Sequence, residues 1–579
     1  AAAVALDVLD PVPDPLPPSV LARHRLLGLD EALRQMHRPD DLEHWHAARR
    51  RCKWDEALAV QLALAQRRAA ERANPATPRP PRADGLAVAF DARLPFQLTR
   101  GQREVGAQLA AELAGAQPMR RLLQGEVGSG KTVVALRAML QVVDCGGQAA
   151  LLAPTEVLAA QHARTIEALL GELAQAGRLG GAETGTQVAL LTGSLPTAAR
   201  KAALAGAASG TAGIVIGTHA LIQEQVSFAD LALVVVDEQH RFGVEQRDAL
   251  RGKADRPPHL LVMTATPIPR TVAMTVFGDL ETSTLTELPA GRATSSTTVV
   301  PASEKPAWLA RAWQRIGEEV AAGRQAYVVC PRIDAADDAG PDGPGADPDR
   351  DGARPDDGLD GALPGLGGDE DALPRRPAAS VLATFDALAA GPLAGLRLGM
   401  LHGRLAPEEK DRVMTAFSRG ELDALVATTV VEVGVDVPNA TVMVILDADR
   451  FGVSQLHQLR GRVGRGSAPG VCLLVTAAPA GTPARQRLDA VAATADGFAL
   501  ARLDLQQRRE GDVLGAAQSG RRSRLKLLSL LRDEELIAAA RVEARALVEA
   551  DPQLAAHPAL AAQVAALVDD ERADFLQMA

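Results

Sequence analysis

The stretch LLQGEVGSGKT, from Leu122 to Thr132, decides how this chain folds. Its last eight residues satisfy G-x-x-x-x-G-K-[ST], and each fixed position has a physical task. Gly125, Gly128 and Gly130 let the backbone turn tightly enough for successive N–H groups to face a phosphate. Lys131 reaches toward the β/γ-phosphates, and the Thr132 hydroxyl is a ligand for Mg²⁺. Two leucines precede the loop and VVALRAML, Val133 to Leu140, follows it at helical spacing. The loop therefore joins a strand to a helix, as the motif requires. The expectation is an α/β domain that binds ATP with Mg²⁺.

At 579 residues the chain has room for three or four domains with full cores. It opens at Ala1 rather than Met and reads as a fragment or a trimmed product. No secretory leader stands at the start, and no apolar run approaches the roughly 18–20 residues of a bilayer span. A cytoplasmic protein without a membrane partner is expected. Cys52, Cys145, Cys330 and Cys472 lie far apart with no C-x-x-C pair, which argues against a zinc site or a disulfide framework. The formal charge of −10 would weigh against a nucleic-acid partner if it were spread evenly. It is local: Asp334 to Arg376 holds thirteen acidic residues against four arginines, and the rest of the chain is close to neutral. That Asp/Gly/Pro-rich segment cannot bury enough apolar surface to offset its ordering entropy, and it reads as a disordered insertion, 334–376.

Ahead of the phosphate loop, a proline-rich hinge, Pro11 to Ser19, leads into helical sequence from Val20 to about Arg72. Asp41 is its N-cap candidate, and Trp54, Leu58, Leu62 and Ala65 fall on one apolar face. The basic run Arg49–Lys53 has two readings, a solvated helix face or a DNA-phosphate contact. NPATPRPPRAD, residues 74–84, is a linker. LPFQLTRGQREV follows, where Phe96 could cover an adenine and Gln102 bond its edge. The same residues make an ordinary helix start with Thr99 as N-cap, and both readings stay open.

Beyond the loop come short apolar strands ending in small polar residues: AALLAPTEVLAAQH with Thr155, GIVIGTHALIQ with Thr218 and His219, and VMTATPIPRT with Thr264 and Thr266. In doubly wound folds such strand ends face one ligand-binding edge. LALVVVDEQH, Leu231 to His240, is a continuous apolar run, hence a buried parallel strand, ending in Asp237 and Glu238. Asp237 would hold Mg²⁺, and Glu238 would orient or deprotonate the attacking water. A second set of strands begins near Arg292 and includes AYVVCPRI, LGMLHGRL with His402, and ALVATTVVEVGVDVPNATVMVI with Thr428. QLHQLRGRVGRG, Gln455 to Gly466, then satisfies Q-x-x-G-R-x-G-R through Gln458, Gly461, Arg462, Gly464 and Arg465. Two such guanidiniums suit the developing charge on a γ-phosphate, a contribution typically on the order of 10³ to 10⁵ in rate.

GEVGSGKT, APTEVLAAQH, DEQHRFGVEQR and TATPIPRT resemble motifs I, Ia, II and III of superfamily 2 helicases. The DEQH box with RFGVEQR and TATPIPRT resembles the RecG branch-migration helicases and the transcription-repair coupling factors. The resemblance implies two tandem RecA-like parallel-sheet motor domains, 85–291 and 292–480. An N-terminal helical linker, 1–84, and a C-terminal segment, 481–579, with a translocation motif and a helical hairpin or hook would flank them. Thr428, Thr429, Glu432, Gly434 and Asp436 match motif V, with Gly434 and Asp436 near the nucleotide. Thr155, Thr218, His219, Thr266, His402 and Thr428 would line the DNA. DLQQRREGDVLGAAQSG, Asp504 to Gly520, is similar to the family's translocation motif and retains Arg508 and Gln518, but carries Arg509 and Glu510 where the family has a small residue and proline. Leu536, Ile537, Ala540 and Ala544 lie on one face of a helix from about Arg532 to Ala550, the docking hook.

PDPLPPSVLARHRLLGLDEALRQMHRPDDLEHWHAARRR resembles the RecG linker that follows a wedge domain of OB fold, and the wedge itself is expected to be missing from this chain. The implied activity is an ATP-dependent duplex translocase that remodels stalled forks and Holliday junctions, acting as a monomer with branched DNA and single-stranded DNA-binding protein as partners. Two alternatives stand: the motor module of a coupling factor, and a wedge-less DNA-binding remnant with little turnover. A P-loop transporter or kinase explains neither the second domain nor its arginines.

Overall fold

The computed structural model describes residues 6, 10–72, 74–177, 182, 184–237, 253, 256–265, 280–287, 295–334, 378–432, 437–466, 468–507, 527–529 and 532–568. Glu238, Thr266, Gly434, Asp436, Arg508 and Gln518 lie outside the described residues, as does the acidic insertion beyond Asp334. The chain forms two compact units: residues 1–291 with 496–579, and residues 292–495.

The first unit opens with α1 (Pro18–His24), α2 (Leu29–His37) and α3 (Leu42–Arg72). The Asp41 carboxylate accepts the His44 N–H at 2.8 Å and so caps α3. Next come α4 (Leu86–Arg93) and α5 (Arg100–Leu113), then an alternation of strands and helices: β1 (Arg120–Gly125), α6 (Lys131–Asp144), β2 (Gln148–Leu152), α7 (Glu156–Leu170), β3 (Gln187–Leu191), α8 (Thr197–Ser209) and β4 (Ala212–Gly217). Strands β5 (Leu231–Asp237), β6 (His259–Thr264) and β7 (Glu281–Leu285) complete a sheet of order β3-β4-β2-β5-β6-β1-β7. Every neighbouring pair in it is parallel. The apolar runs are continuous because both faces are covered. Leu123, Leu151, Val235 and Met263 enter the core on one face, and their neighbours Leu122, Leu152, Val234 and Val262 enter the core on the other.

The second unit repeats the plan with β8 (Ser296–Pro301), α9 (Pro306–Ala321), β9 (Gln325–Val329), α10 (Val381–Ala390), β10 (Leu398–Leu401), α11 (Pro407–Ser418), β11 (Ala424–Ala427), β12 (Ala440–Ile445), α12 (Val453–Arg460), β13 (Val471–Thr476) and α13 (Pro483–Ala493). Its sheet, β10-β11-β9-β12-β13-β8, is parallel throughout. The likeness extends to single residues. The third strand of each sheet opens on a buried glutamine whose amide donates to two carbonyls: Gln148 to Ala207 and Ala212, and Gln325 to Phe417 and Leu422. Helix α13, read from sequence with the C-terminal segment, packs against β8 and belongs to this unit.

Helices α14 (Gly497–Gln507), α15 (Glu534–Ala550) and α16 (Pro558–Val568) return to the first unit. There the two ends of the sequence build one core. Val20, Trp54, Leu58 and Leu62 pack with Ile537, Ala540, Ala544, Leu560 and Val564. Three arginines fasten this helical bundle to the edge of the sheet. Arg68 of α3 donates to Glu281 of β7 at 3.0 Å, and Arg545 and Arg541 of α15 converge on the same carboxylate. Their charge outweighs the burial that would raise the Glu281 pKa, so the carboxyl titrates below its ordinary range.

Within the basic run on α3, Arg51 and Lys53 are turned inward onto acidic partners. Arg51 is fully buried, held bidentately by Asp14 at 2.7 and 2.8 Å and by Asp55 at 2.9 Å. Lys53 pairs with Asp533 at 2.7 Å. The reason is the helix period: the face that carries Trp54 and Leu58 inward carries Arg51 inward as well, and a buried cation needs partners. Only Arg50 of the run is exposed.

The linker 74–84 is likewise pinned. Arg79 is buried, donates to Cys145 O and Asp230, and its own carbonyl accepts from Gln141. Beneath it His259 accepts the Met119 N–H at Nδ1 (2.9 Å) and faces Thr77 O with Nε2. Burial pushes its pKa down to about 4. The unfolded imidazole, near 6.5, binds a proton first, so stability falls as the pH drops through that window and levels off below about 4. Denaturant titrations at pH 7 and pH 5 should differ by about 2 kcal/mol from this residue. His259→Gln should remove that difference, and an unchanged difference would refute the assignment.

Candidate active site

The carboxyl edge of the first sheet gathers the phosphate loop and Asp237. β1 ends at Gly125 and β5 at Asp237, with β6 between them. At sheet spacing that sets the two ends roughly 10 Å apart, within reach of one nucleotide and its metal. The loop is held open by its glycines, with φ of +84° at Gly128 and +82° at Gly130. A side chain at Gly130 would be strained by that φ and would collide with the Gln102 amide.

Lys131 is buried, and its Nζ donates to the Gly125 carbonyl at 2.7 Å and to the Glu126 carbonyl at 3.0 Å. Its charge is thus stored on the loop itself. Reaching a phosphate would exchange two neutral carbonyls for an anion, a stronger partner. Thr132 follows at the start of α6, half-buried. Asp237 Oδ2 lies 2.8 Å from Nε2 of His162 on α7. The one sequence signal for His162 is its place on the helix after β2, the strand beside β5. Thr132 and Asp237 supply hard oxygen donors of the kind Mg²⁺ takes. Among the described residues no cluster of three or more His, Cys, Asp or Glu forms a metal cage. Such a donor set fits an ion whose remaining ligands are water and phosphate oxygens.

Gln102 takes up the helix-start reading of its segment. It closes a capping box with Thr99, accepting the Thr99 N–H at 2.9 Å, while its Nε2 donates to Ser129 O at 2.9 Å. Both ends of the amide are engaged and the side chain is buried, so an adenine edge would have to displace one of these bonds. Phe96 is 46 % exposed, leaving its ring face available for stacking.

At the same sheet edge Thr155 caps α7, accepting from Leu158 N, and Ala153 N bonds Gly217 O, which sets Thr155 close to Thr218 and His219. Thr218 is buried and its hydroxyl has no hydrogen-bond partner among the described residues, while His219 is exposed.

In the second unit Thr428 N bonds Leu401 O, so Thr428 and His402 sit side by side at the ends of β11 and β10. Burial, aided by Arg404 and Lys410, lowers the His402 pKa. The glycine-arginine turn leaves the end of α12, with Gln458 buried on the helix and Arg462 and Arg465 half-buried beyond it. Arg465 Nε bonds Gly461 O at 2.8 Å. Gly464 has φ of +72°, and an added Cβ would sit 2.6 Å from Ser295 Oγ and 3.0 Å from Gly470 N. Arg460, which the sequence reading passed over, is buried and donates to the carbonyls of Val491, Thr494 and Ala495. It ties the turn to the end of α13.

Comparison with known proteins agrees with this arrangement. The family model for DEAD/DEAH box helicases matches residues 100–275, and that for the helicase conserved C-terminal domain matches residues 380–467. The model for the C-terminal part of domain 3 of the ATP-dependent DNA helicase RecG matches residues 494–567. The ATP-dependent DNA helicase RecG of Mycobacterium tuberculosis is 57% identical over 538 residues, covering 93% of this chain and 69% of that protein. The RecG of Bacillus subtilis is 40% identical, covering 92% of this chain and 70% of that protein. A solved structure of RecG bound to a three-way DNA junction superposes with a TM-score of 0.65 at 34% identity, over 91% of this chain and 62% of its own. The match of the C-terminal helices to RecG domain 3 favours this reading over a coupling factor. With a phosphate loop, an acidic strand end and an arginine turn on two tandem parallel sheets, and with identity that runs nearly end to end, the chain belongs to the RecG family of ATP-dependent DNA helicases.

Proposed function

We propose that this chain is a DNA-stimulated ATPase that moves along duplex DNA and remodels branched substrates, stalled forks and four-way junctions among them. The observation that carries the proposal is the convergence of the Lys131 loop and Asp237 on one sheet edge, in a chain of this family. Lys131 leaves its two carbonyls for the β/γ-phosphates, and Thr132 and Asp237 would hold Mg²⁺, which would supply charge neutralisation there. Glu238 orients the attacking water. Arg462 and Arg465 supply the positive charge that the transition state requires, and Gln458 steadies their turn. Gly434 and Asp436 complete the nucleotide contacts. Thr155, Thr218, His219, Thr266, His402 and Thr428 line the DNA, and Arg508 and Gln518 belong to the element that pushes on it. The family likeness extends the proposal to a cytoplasmic monomer working beside single-stranded DNA-binding protein.

The test is ATP turnover without DNA, with linear duplex and with a model fork, at one stated salt concentration, because phosphate contacts are salt-dependent. The fork should stimulate most. Equal stimulation by linear duplex would remove the branch specificity from the proposal, and no stimulation by either DNA would overturn it.

A further inference from the structure

Glu126 occupies a variable position of the phosphate loop, where the motif asks nothing of the side chain. Its main-chain carbonyl is one of the two that hold Lys131 Nζ, at 3.0 Å, and it also accepts the Ser129 N–H at 3.1 Å. Its side chain turns away from the loop. Oε1 accepts the backbone N–H of Gly497 at 2.9 Å, from a residue 371 positions along the chain.

Gly497 is the first residue of α14. A helix start leaves its first N–H groups without intrahelical partners. Asp496 takes those of Phe498 at 2.8 Å and Ala499 at 3.2 Å. The one at Gly497 goes to Glu126, whose negative charge also suits the positive end of the helix dipole. Helix α14 runs to Gln507 and carries the first residues of the translocation motif read from the sequence as Asp504 to Gly520.

We propose that Glu126 is the positioning residue through which the phosphate loop reports its state to the helix leading into the translocation motif. Lys131 cannot reach a phosphate without leaving the Glu126 carbonyl, so nucleotide arrival changes the forces on that residue. The bond from its carboxylate to Gly497 carries the change to the start of α14. The proposal rests on the reading of the chain as a DNA-stimulated translocase.

The bond can be cut at the end that lies outside the nucleotide loop. Gly497→Pro removes the donor, and proline is well tolerated at the first position of a helix. Gly497→Ala keeps the donor, and Glu126→Gln keeps the acceptor. Three quantities are read for each full-length variant: ATP turnover without DNA, turnover with a saturating fork, and strand displacement per ATP. Gly497→Pro should keep DNA-free turnover and the KM for ATP, while fork stimulation and displacement per ATP fall about tenfold or more, the scale of one charge-assisted hydrogen bond. Gly497→Ala and Glu126→Gln should retain stimulation. A purely structural cap would instead lower the melting temperature and leave the ratio of stimulated to unstimulated turnover intact, which would overturn the proposal. Equal loss in the proline and alanine variants would overturn it too. Should Gly497→Pro fail to fold, Glu126→Leu removes the acceptor and is judged by the same ratio, where an unchanged value refutes the idea. If the wild-type chain itself shows no DNA stimulation, the translocase reading fails first, and the two failures are told apart.

Discussion

Lys131→Ala should lower fork-stimulated ATP turnover by on the order of 10³-fold, with a melting temperature close to that of the parent chain. The two halves of this expectation come from different bonds. The ammonium, held on the carbonyls of Gly125 and Glu126, is the one cationic side chain in Gly125–Thr132. Other bonds also hold the loop in place. Ser129 N bonds Glu126 O at 3.1 Å, and Gln102 Nε2 holds Ser129 O at 2.9 Å from the neighbouring helix. The variant should therefore fold, lose turnover, and lose the stabilisation that ATP gives the parent in a thermal melt. Turnover within tenfold of the parent would show that the loop cradles something other than the reacting phosphates.

The places of Lys131, Asp237 and the glycine-arginine turn at strand and helix ends were legible in sequence because the patterns that set them are local. A phosphate loop is a run of eight residues, a buried parallel strand is a run of apolar ones, and the charge at its end is adjacent by covalent connection. The two-sheet architecture follows from repeating that pattern. What the sequence does not display is pairing across distance. Arg51 looked like one cation in a basic run, yet its partner Asp14 is 37 residues earlier. Glu281 ends a stretch without any motif, and its three arginines come from both ends of the chain. Gln102 shows a different limit. An amide suited to adenine is equally suited to a helix cap and a loop carbonyl, and only geometry shows that it makes both of those bonds.

Arg51→Met should cost the helical bundle about 3 kcal/mol, because removing one member of a buried ion pair leaves its partners without compensation. Arg51 has no exposed surface, while the side chains of Asp14 and Asp55 are 20% and 18% exposed. Methionine fills the volume of the stem, so the loss reports charge rather than a cavity. Asp14 also accepts the N–H groups of Leu16 and Leu29 at 2.9 and 2.7 Å, so an unbalanced charge there loosens the proline-rich segment from α3. The pH dependence gives the sharper test. Burial already pushes the Asp55 carboxyl up to about 6 against the pull of Arg51. Without the guanidinium its folded pKa rises further above the unfolded value, so the folded state holds the proton more tightly than the unfolded one. The variant's deficit should then be largest at neutral pH and above, and shrink as the pH falls through about 6, below which the Asp55 carboxyl is protonated in both folded chains. Adding Asp14→Asn and Asp55→Asn should recover much of the loss at neutral pH, since replacing a whole buried ionic cluster is far less costly than breaking it. Urea titrations followed by the fluorescence of Trp54, which lies in this core, measure all three chains. A deficit that is flat with pH, or one the asparagines do not repair, would assign the cost to packing and refute the electrostatic account.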